Sequence, residues 1–203
     1  MPRTENQYEK IRESKKKLIM DTALELFANQ GYYPTSISII AKKAGISKGL
    51  LYNYFKSKED LIKEIINRGI DELLETFDLD RDGVLTEDEF DYLVHENFRL
   101  IKNNIQHWKL FFAISMQPPV FKVVKERISE FMPKYINIMA KYYNKRGVSN
   151  PVTEALFFGA VMDGVSLNYV ADPDKFPLEE ITQKIIDIFS HKNSQKEQHE
   201  ENK

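Results

Sequence analysis

The sequence lacks cysteine entirely and has only eight glycines and eight prolines among its 203 residues. Without cysteine the chain can form neither a disulfide nor a thiolate zinc site, which suits a reducing cytoplasm. Apolar residues recur at helical spacing and do not alternate with polar ones over any sustained run, so we predict an all-α fold. The chain also lacks an apolar run of about 18 residues and a signal-peptide core near its start. We therefore expect a soluble, cytoplasmic protein with no membrane partner.

Motifs of the common enzyme classes are missing as well. The sequence contains no G-x-x-x-x-G-K-[ST], G-x-G-x-x-G, G-x-S-x-G or H-E-x-x-H pattern. Its four histidines are scattered, and without cysteine they offer no convincing pair of nucleophile and base. We expect no enzymatic activity.

Charge is distributed unevenly along the chain. The net charge is −2, but residues 1–60 contain eleven lysines and arginines against seven acids, a net of +4, which leaves −6 for the remainder. A basic first part joined to an acidic second part is typical of a nucleic-acid-binding domain attached to a domain that does not bind nucleic acid. The basic residues between Lys10 and Lys17 have two interpretations, a phosphate-contacting arm or an ordinary solvated helix face.

Residues 35–61 have the pattern of two short helices joined by a tight turn. The first has an apolar stripe, formed by Ile37, Ile40, Ala41 and Ala44, after the capping hydroxyls Thr35 and Ser36. Gly45 ends that helix, and Ser47 caps the second, in which Leu51 and Phe55 point inward. This arrangement predicts a helix-turn-helix whose second helix is free to enter a DNA major groove.

At these residues the chain resembles the DNA-binding domain of TetR-family transcriptional regulators. The family patterns I-A, A-G-[VI]-S, L-Y-x-[YH]-F and K-x-x-L are matched without a gap, from Leu18 to about Leu61. The resemblance implies contacts to double-stranded DNA from Thr35, Ser36, Ser38, Ser47, Lys48, Gly49, Leu50, Tyr52, Asn53, Tyr54 and Lys58. The alternative is a helical hairpin that has no DNA partner.

The resemblance also implies an organisation for the whole chain. Residues 1–57 are expected to form a three-helix DNA-binding domain with a basic N-terminal arm, and residues 58–192 a larger helical domain for ligand binding and dimerisation. Residues 193–203 are polar and are expected to be disordered. A long fourth helix, opened by Ser57 and carrying apolar residues as far as Phe77, is expected to join the two domains.

A second motif lies directly after that helix. Asp78–Glu89 reads D-L-D-R-D-G-V-L-T-E-D-E and matches an EF-hand calcium loop. The predicted oxygen ligands are Asp78, Asp80, Asp82, the Val84 carbonyl, Thr86 and Glu89. Alternate residues project inward as such a loop wraps a cation, and Gly83 at the sixth position permits its sharp turn. The pattern predicts Ca²⁺ binding, with Mg²⁺ as the alternative ion.

The same residues have a simpler interpretation. Thr86 and Glu89 form the pattern of a capping box for the next helix, and acids are favourable at a helix N-terminus. Capping alone does not explain the three aspartates at alternate positions. Because EF-hands usually occur in pairs and only one loop is found, we expect a weak site.

In the second domain the resemblance predicts a ligand pocket and a dimer interface. The candidate pocket residues are Phe98, Trp108, Phe112, Met116, Met139 and Tyr142, and for each of them an ordinary place in the core is the alternative. The candidate dimer residues, on the last two helices, are Ala155, Gly159, Ala160, Ile181, Ile185 and Phe189.

Three functions are compatible with these observations. The first is a dimeric regulator, a repressor, that binds a palindromic operator and is released by a small-molecule effector. The second is a calcium-responsive regulator in which the metal at 78–89 is the effector. The third is a calcium-binding interaction protein without a DNA function.

Overall fold

The computed structural model describes residues 5–75, 77 and 82–190. The helices in these ranges are α1 (Glu5–Gln30), α2 (Ile37–Lys43), α3 (Lys48–Tyr52), α4 (Lys58–Leu74), α5 (Glu87–Asn103), α6 (Ile105–Ser115), α7 (Pro118–Asn144), α8 (Pro151–Ala171) and α9 (Leu178–Phe189). No strand occurs within the described ranges, which confirms the all-α prediction. None of the described helices combines the length and apolarity needed to cross a bilayer. The predicted tail 193–203 and the predicted calcium ligands Asp78 and Asp80 lie outside the described residues.

Packing divides the described chain into two compact units. The first contains the residues up to Gly69 together with Lys109–Arg127, and the second contains Ile70–Trp108 and the residues from Ile128 onward. Helices α4, α6 and α7 therefore contribute residues to both units. The division falls later than residue 57 because the first part of α4 packs within the first unit, where Gly69 lies against the Phe111 ring.

The first unit is built around α1. As the sequence predicted, α1 packs against α2, and α2 packs against α3. The residues buried at this junction are Ile19, Ala23, Leu26, Phe27, Ile40, Ala41, Leu51 and Phe55. The side chain of Gln117 fixes the segment after α1, because its Oε1 accepts from Tyr32 N–H (2.9 Å) and its Nε2 donates to Phe27 O (2.9 Å).

The second unit has an aromatic core. Helix α5 packs against α8 and α9. Phe90 of α5 stacks on Tyr142 of α7, with ring centroids 5.0 Å apart, and its ring also lies 5.0 Å from that of Phe158 in α8. Phe158 in turn contacts Phe189 of α9 at 5.2 Å. These rings connect four helices of the unit.

Proline inside a sequence with a helical pattern often breaks the helix, but α7 is one helix that includes Pro133. The backbone hydrogen bond that proline removes is offset by packing in the next turns, where Ile138 and Met139 are buried. Phe77 lies beyond the end of α4, and the side chain of Asn150 makes no capping hydrogen bond to α8.

Candidate DNA-binding surface, ligand cavity and metal loop

Helix α2 ends in a Schellman turn that directs the chain into α3. Gly45 N–H donates to Lys42 O (3.3 Å), and Ile46 N–H donates to Ala41 O (3.0 Å). Gly45 has φ of 65°, a conformation that a residue with a Cβ adopts only at a cost. The glycine therefore sets the angle at which the second helix of the predicted helix-turn-helix leaves the first.

Serine N-caps begin both short helices. Ser36 Oγ accepts from Ile39 N–H (3.3 Å), and Ser47 Oγ accepts from Leu50 N–H (3.1 Å). Leu51, on the inner face of α3, is fully buried. Because the buried leucine fixes the rotation of α3, the opposite face of this helix is turned to solvent.

That opposite face carries most of the predicted DNA contacts. The exposed members of the predicted set are Ser36, Ser38, Ser47, Lys48, Gly49, Leu50, Tyr52 and Asn53. Tyr54 is half-buried. The Lys48 ammonium lies over the Tyr52 ring, 5.9 Å from its centroid, so the cation and the ring form one exposed patch.

Two predicted DNA contacts occupy other environments. The prediction for Thr35 is wrong, because Thr35 is fully buried and its hydroxyl donates to Gly31 O (2.8 Å), so it cannot reach a phosphate. Lys58 Nζ donates to Tyr32 O (2.9 Å) and Tyr33 O (3.3 Å) and lies over the Tyr32 ring. An ammonium has three N–H donors, so one of them is left for a phosphate.

Positive charge dominates this part of the sequence. Between Glu25 and Glu59 there is no acidic residue, and the same stretch contains five lysines. Lys43 is paired with Glu25 (2.6 Å), whereas Lys48 lies exposed at the start of α3. In the basic segment at the start of α1, Lys16 pairs with Glu64 and Lys17 with Asp21, which favours a solvated helix face for these two lysines.

A separate cavity of about 240 Å³ lies within the second unit. Its described apolar lining consists of Ile70, Leu73, Leu74, Phe77, Leu93, Ile128, Phe131, Met132, Phe158 and Met162. The polar side chains in the lining are Asn97, Tyr135 and Asp163. The Tyr135 hydroxyl donates to Ala155 O (2.6 Å), and burial raises the pKa of this phenol.

Asp163 is the acidic group of the cavity wall. Its side chain remains open to solvent, yet the surrounding protein partly desolvates the carboxylate and raises its pKa. A group at the wall of a recess is accessible and poorly hydrated at the same time, which is the usual condition of a ligand-binding carboxylate.

None of the six predicted pocket residues lines this cavity. Phe98, Trp108, Met139 and Tyr142 are buried in the core, Phe112 is half-buried, and Met116 is 72% exposed. Trp108 is held in place by its Nε1–H, which donates to Leu100 O (3.3 Å). Phe98 and Tyr142 instead line two other recesses of the second unit, whose linings include the charged side chains Arg99, Lys102, Lys141 and Lys145.

Three of the six predicted dimer residues are also corrected. Ala155, Ile185 and Phe189 are buried inside the protomer and cannot meet a second copy, and Gly159 lines the cavity beside Tyr135. Ala160 is exposed and Ile181 is half-buried. Helix α8 instead exposes an apolar face, extended by one residue of α9. We call it the α8 face, and it consists of Val152, Leu156, Phe157, Ala160, Leu167 and Ile188.

The described part of the predicted metal loop forms a capped turn. Val84 N–H donates to Asp82 Oδ1 (2.7 Å), and Gly83 has φ of 75°. Thr86 and Glu89 make the capping box, in which Glu89 Oε2 accepts from both the N–H and the hydroxyl of Thr86. Among the described residues, which exclude Asp78 and Asp80, no group of three or more potential ligands is close enough to hold a metal.

Residues 19–65 match the family model described as bacterial regulatory proteins of the tetR family. These residues contain the Schellman turn, both serine caps and the exposed lysine–tyrosine patch. The segment 19–65 is therefore similar to the DNA-binding part of tetR-family regulators.

Comparisons with individual proteins distinguish this segment from the rest of the chain. The HTH-type regulator AcrR of Shigella flexneri is 51% identical over 47 residues, which are 23% of this chain and 22% of that protein. The fatty acid metabolism regulator protein of Bacillus subtilis is 21% identical over 179 residues, 84% of this chain and 91% of that protein. High identity is thus confined to a short segment.

Solved structures share the fold over most of the chain. The structure of the transcriptional regulator FadR from Bacillus subtilis in complex with stearoyl-CoA aligns with a TM-score of 0.67 and 17% identity, over 86% of this chain and 97% of that one. The fatty acid degradation regulator FadR from Bacillus halodurans gives 0.68 and 17%, over 88% and 96%. At these identities the likeness shows the fold alone.

The polar residues of the cavity were missed by the sequence analysis. Asp163 does have a sequence signal, because it is an acid in the otherwise apolar stretch V-M-D-G-V of α8. Asn97 and Tyr135 have none, since polar residues are common on partly exposed helices. Only the meeting of α4, α5, α7 and α8 shows that these side chains share one cavity.

Proposed function

We propose that the protein is a dimeric transcriptional repressor that binds a palindromic operator through α3 and is released when a small molecule occupies the cavity of the second unit. The observation that carries the DNA-binding part is the exposed face of α3, which is held in place by buried Leu51. This face belongs to the 33-residue stretch without an acid, so its field attracts phosphates.

The dimer is supported by the α8 face. Exposed apolar side chains on a helix pair favour a cover, and a second copy of the same face supplies one by two-fold symmetry. Two copies also bring two recognition helices to one duplex, as a palindromic operator requires. An operator half-site alone would offer half of these contacts.

Release by an effector is supported by the path of α4. The first part of this helix packs within the unit that contains α3, and its last residues, Ile70, Leu73 and Leu74, line the cavity. A ligand that fills the cavity displaces side chains on the end of a helix whose start supports the DNA-binding region. Such a ligand shifts the equilibrium between two conformations of the protein only as far as its affinities for the two conformations differ.

The proposal predicts that Lys48→Ala and Tyr52→Ala weaken operator binding. Each substitution should raise the dissociation constant by a factor that corresponds to about 1–2 kcal/mol, because it removes a phosphate or base contact. Lys48→Ala should also lower the salt dependence of binding by about one counterion. Fluorescence anisotropy with a duplex from the protein's own upstream region, at several salt concentrations, measures both effects.

The matched controls are Lys184→Ala and Tyr92→Ala. Lys184 is an exposed lysine of α9, and Tyr92 of α5 is 43% exposed against 45% for Tyr52. Both controls should bind as the wild type does. Operator affinity that is unchanged in both α3 variants would remove α3 from the interface.

We propose as a second function that a divalent cation at 78–89 modulates the regulator. The loop sequence carries a net charge of −5, which a cation would neutralise. In the described part, Gly83 has the positive φ that the sixth EF-hand position needs, and Leu85 is buried, as is the apolar residue at the eighth position of such loops. The loop follows α4, so an ion there would act on the end of the helix that lines the cavity.

Calcium is therefore expected to raise the melting temperature of the wild type, because it binds the native state only. Asp78→Ala should remove the shift. Glu89→Gln is the sharper variant, since glutamine also serves in a capping box and thus preserves the cap of α5 while it removes a bidentate ligand. Differential scanning calorimetry in calcium, magnesium and chelator measures the effect. A wild-type melting curve that does not respond to millimolar calcium would show that the loop is only a capped turn. If calcium binds but does not change operator affinity, the ion has a structural role only.

A further inference from the structure

The polar side of the cavity offers hydrogen-bond acceptors to a ligand and lacks positive charge. Among the lining residues that the structure describes there is no lysine, arginine or histidine. Asp163 is the one carboxylic acid among the described lining residues, and as a carboxylate it only accepts hydrogen bonds. The Tyr135 hydroxyl, the natural donor of the cavity wall, already donates to Ala155 O.

Asn97 provides a second uncommitted group. Its Oδ1 is buried and accepts no hydrogen bond within the described part of the protein. A buried amide oxygen without a donor carries a desolvation cost that a ligand can remove.

We infer that the effector is an apolar molecule with a protonated nitrogen, whose N–H groups bind Asp163 and Asn97 while its apolar part fills the cavity. The regulatory effect of this ligand rests on the proposed function, whereas its binding to the cavity does not. The ligand is therefore a lipophilic amine. A natural polyamine conjugate and a cationic drug both have this chemistry.

The electrostatics of Asp163 support a cation over an anion. The partly desolvated carboxylate is destabilised in the free protein, as its raised pKa indicates, and a cation beside it recovers the lost solvation energy. A fatty acid or an acyl-CoA would bring its own negative charge toward this carboxylate, with no described cation in the lining to balance it. The inference thus separates this chain from a relative whose structure contains stearoyl-CoA.

The test compares three probes that share one chain and differ in the head group: decylamine, decanol and decanoate. Isothermal titration calorimetry with the full-length protein should show that decylamine binds at least about tenfold more tightly than either of the others, as expected for one charge-assisted hydrogen bond. Asp163→Asn should remove this preference and leave decanol affinity within about twofold, because shape and apolar contacts are retained. Asp163→Glu should retain the preference.

The matched control is Glu154→Gln, which removes a carboxylate from the same helix outside the cavity and should bind all three probes as the wild type does. Sedimentation and melting of each variant establish that it is folded. Decanoate or decanoyl-CoA binding as tightly as decylamine would overturn the inference, as would an unchanged preference in folded Asp163→Asn. Operator release is measured separately by mobility shift. If decylamine binds but does not release DNA, the result supports the ligand assignment for the cavity and contradicts the proposed coupling between cavity and operator. If the protein binds its operator but not decylamine, the result contradicts the inference about the ligand and leaves the proposed function standing.

Discussion

Replacing Leu156 and Leu167 together by aspartate should convert the protein from a dimer into a monomer. Both leucines belong to the α8 face, are more than half exposed in the single chain, and lie about three helical turns apart on α8. If a second copy covers them, each of the four half-exposed leucines of the dimer loses about 0.8–1.5 kcal/mol of apolar burial on substitution, and in addition four carboxylates become desolvated. The dimer dissociation constant should therefore rise by about two to four orders of magnitude.

Sedimentation velocity measures this effect, and operator binding should fall with it because each chain then contacts only one half-site. The control is the double substitution Met116→Asp/Phe121→Asp, which introduces the same charges at exposed apolar residues outside the α8 face. The control should remain dimeric. A wild type that sediments as a single chain, or a Leu156→Asp/Leu167→Asp variant that remains a dimer, would show that the α8 face is not the interface.

Gly69→Ala is expected to destabilise the fold by about 2–3 kcal/mol, although alanine is a better helix former than glycine by about 1 kcal/mol. A Cβ at residue 69 would lie 2.4 Å from Cε2 and 2.9 Å from Cδ2 of Phe111, so the buried ring would have to move. Overpacking of this kind forces side chains out of their preferred rotamers. Urea denaturation measures the change in the free energy of unfolding.

Gly164→Ala provides the matched comparison in α8. Nothing lies within 4 Å of a Cβ built at Gly164, so helix propensity alone acts there and the variant should be more stable by about 0.5–1 kcal/mol. Phe111→Leu combined with Gly69→Ala should show a favourable coupling energy, because the smaller side chain relieves the clash. A Gly69→Ala protein as stable as the wild type would contradict the close packing of α4 on α6.

The DNA-binding region was predictable from sequence because its geometry is determined locally. Gly45 and Ser47 act on backbone groups a few residues away, and the resulting turn and cap were both found as expected. The burial of Leu51 and Phe55 follows from their spacing on one helix face. The prediction for Thr35 failed because a hydroxyl next to the start of a helix can either cap that helix or form a hydrogen bond inside the protein. The sequence does not distinguish these two cases.

The cavity and the α8 face were not predictable in the same way, because both depend on which helices meet. Trp108 and Met139 are residue types that often line ligand pockets, yet both pack in the core. On α8, Ala155 and Leu156 are adjacent in sequence and similar in polarity, but one is buried and the other exposed. A rotation of the helix by one residue would exchange them, and only tertiary packing determines that rotation.

The most direct test of the central claim is the affinity of the protein for DNA of its own upstream region, compared with a scrambled duplex of the same length and composition. A sequence-specific dimeric regulator should bind the native duplex at least about 10³-fold more tightly at physiological salt. The stoichiometry should be two chains per site, and a two-fold symmetric footprint should be centred on the site. Equal affinity for both duplexes, or no binding to either, would contradict the account.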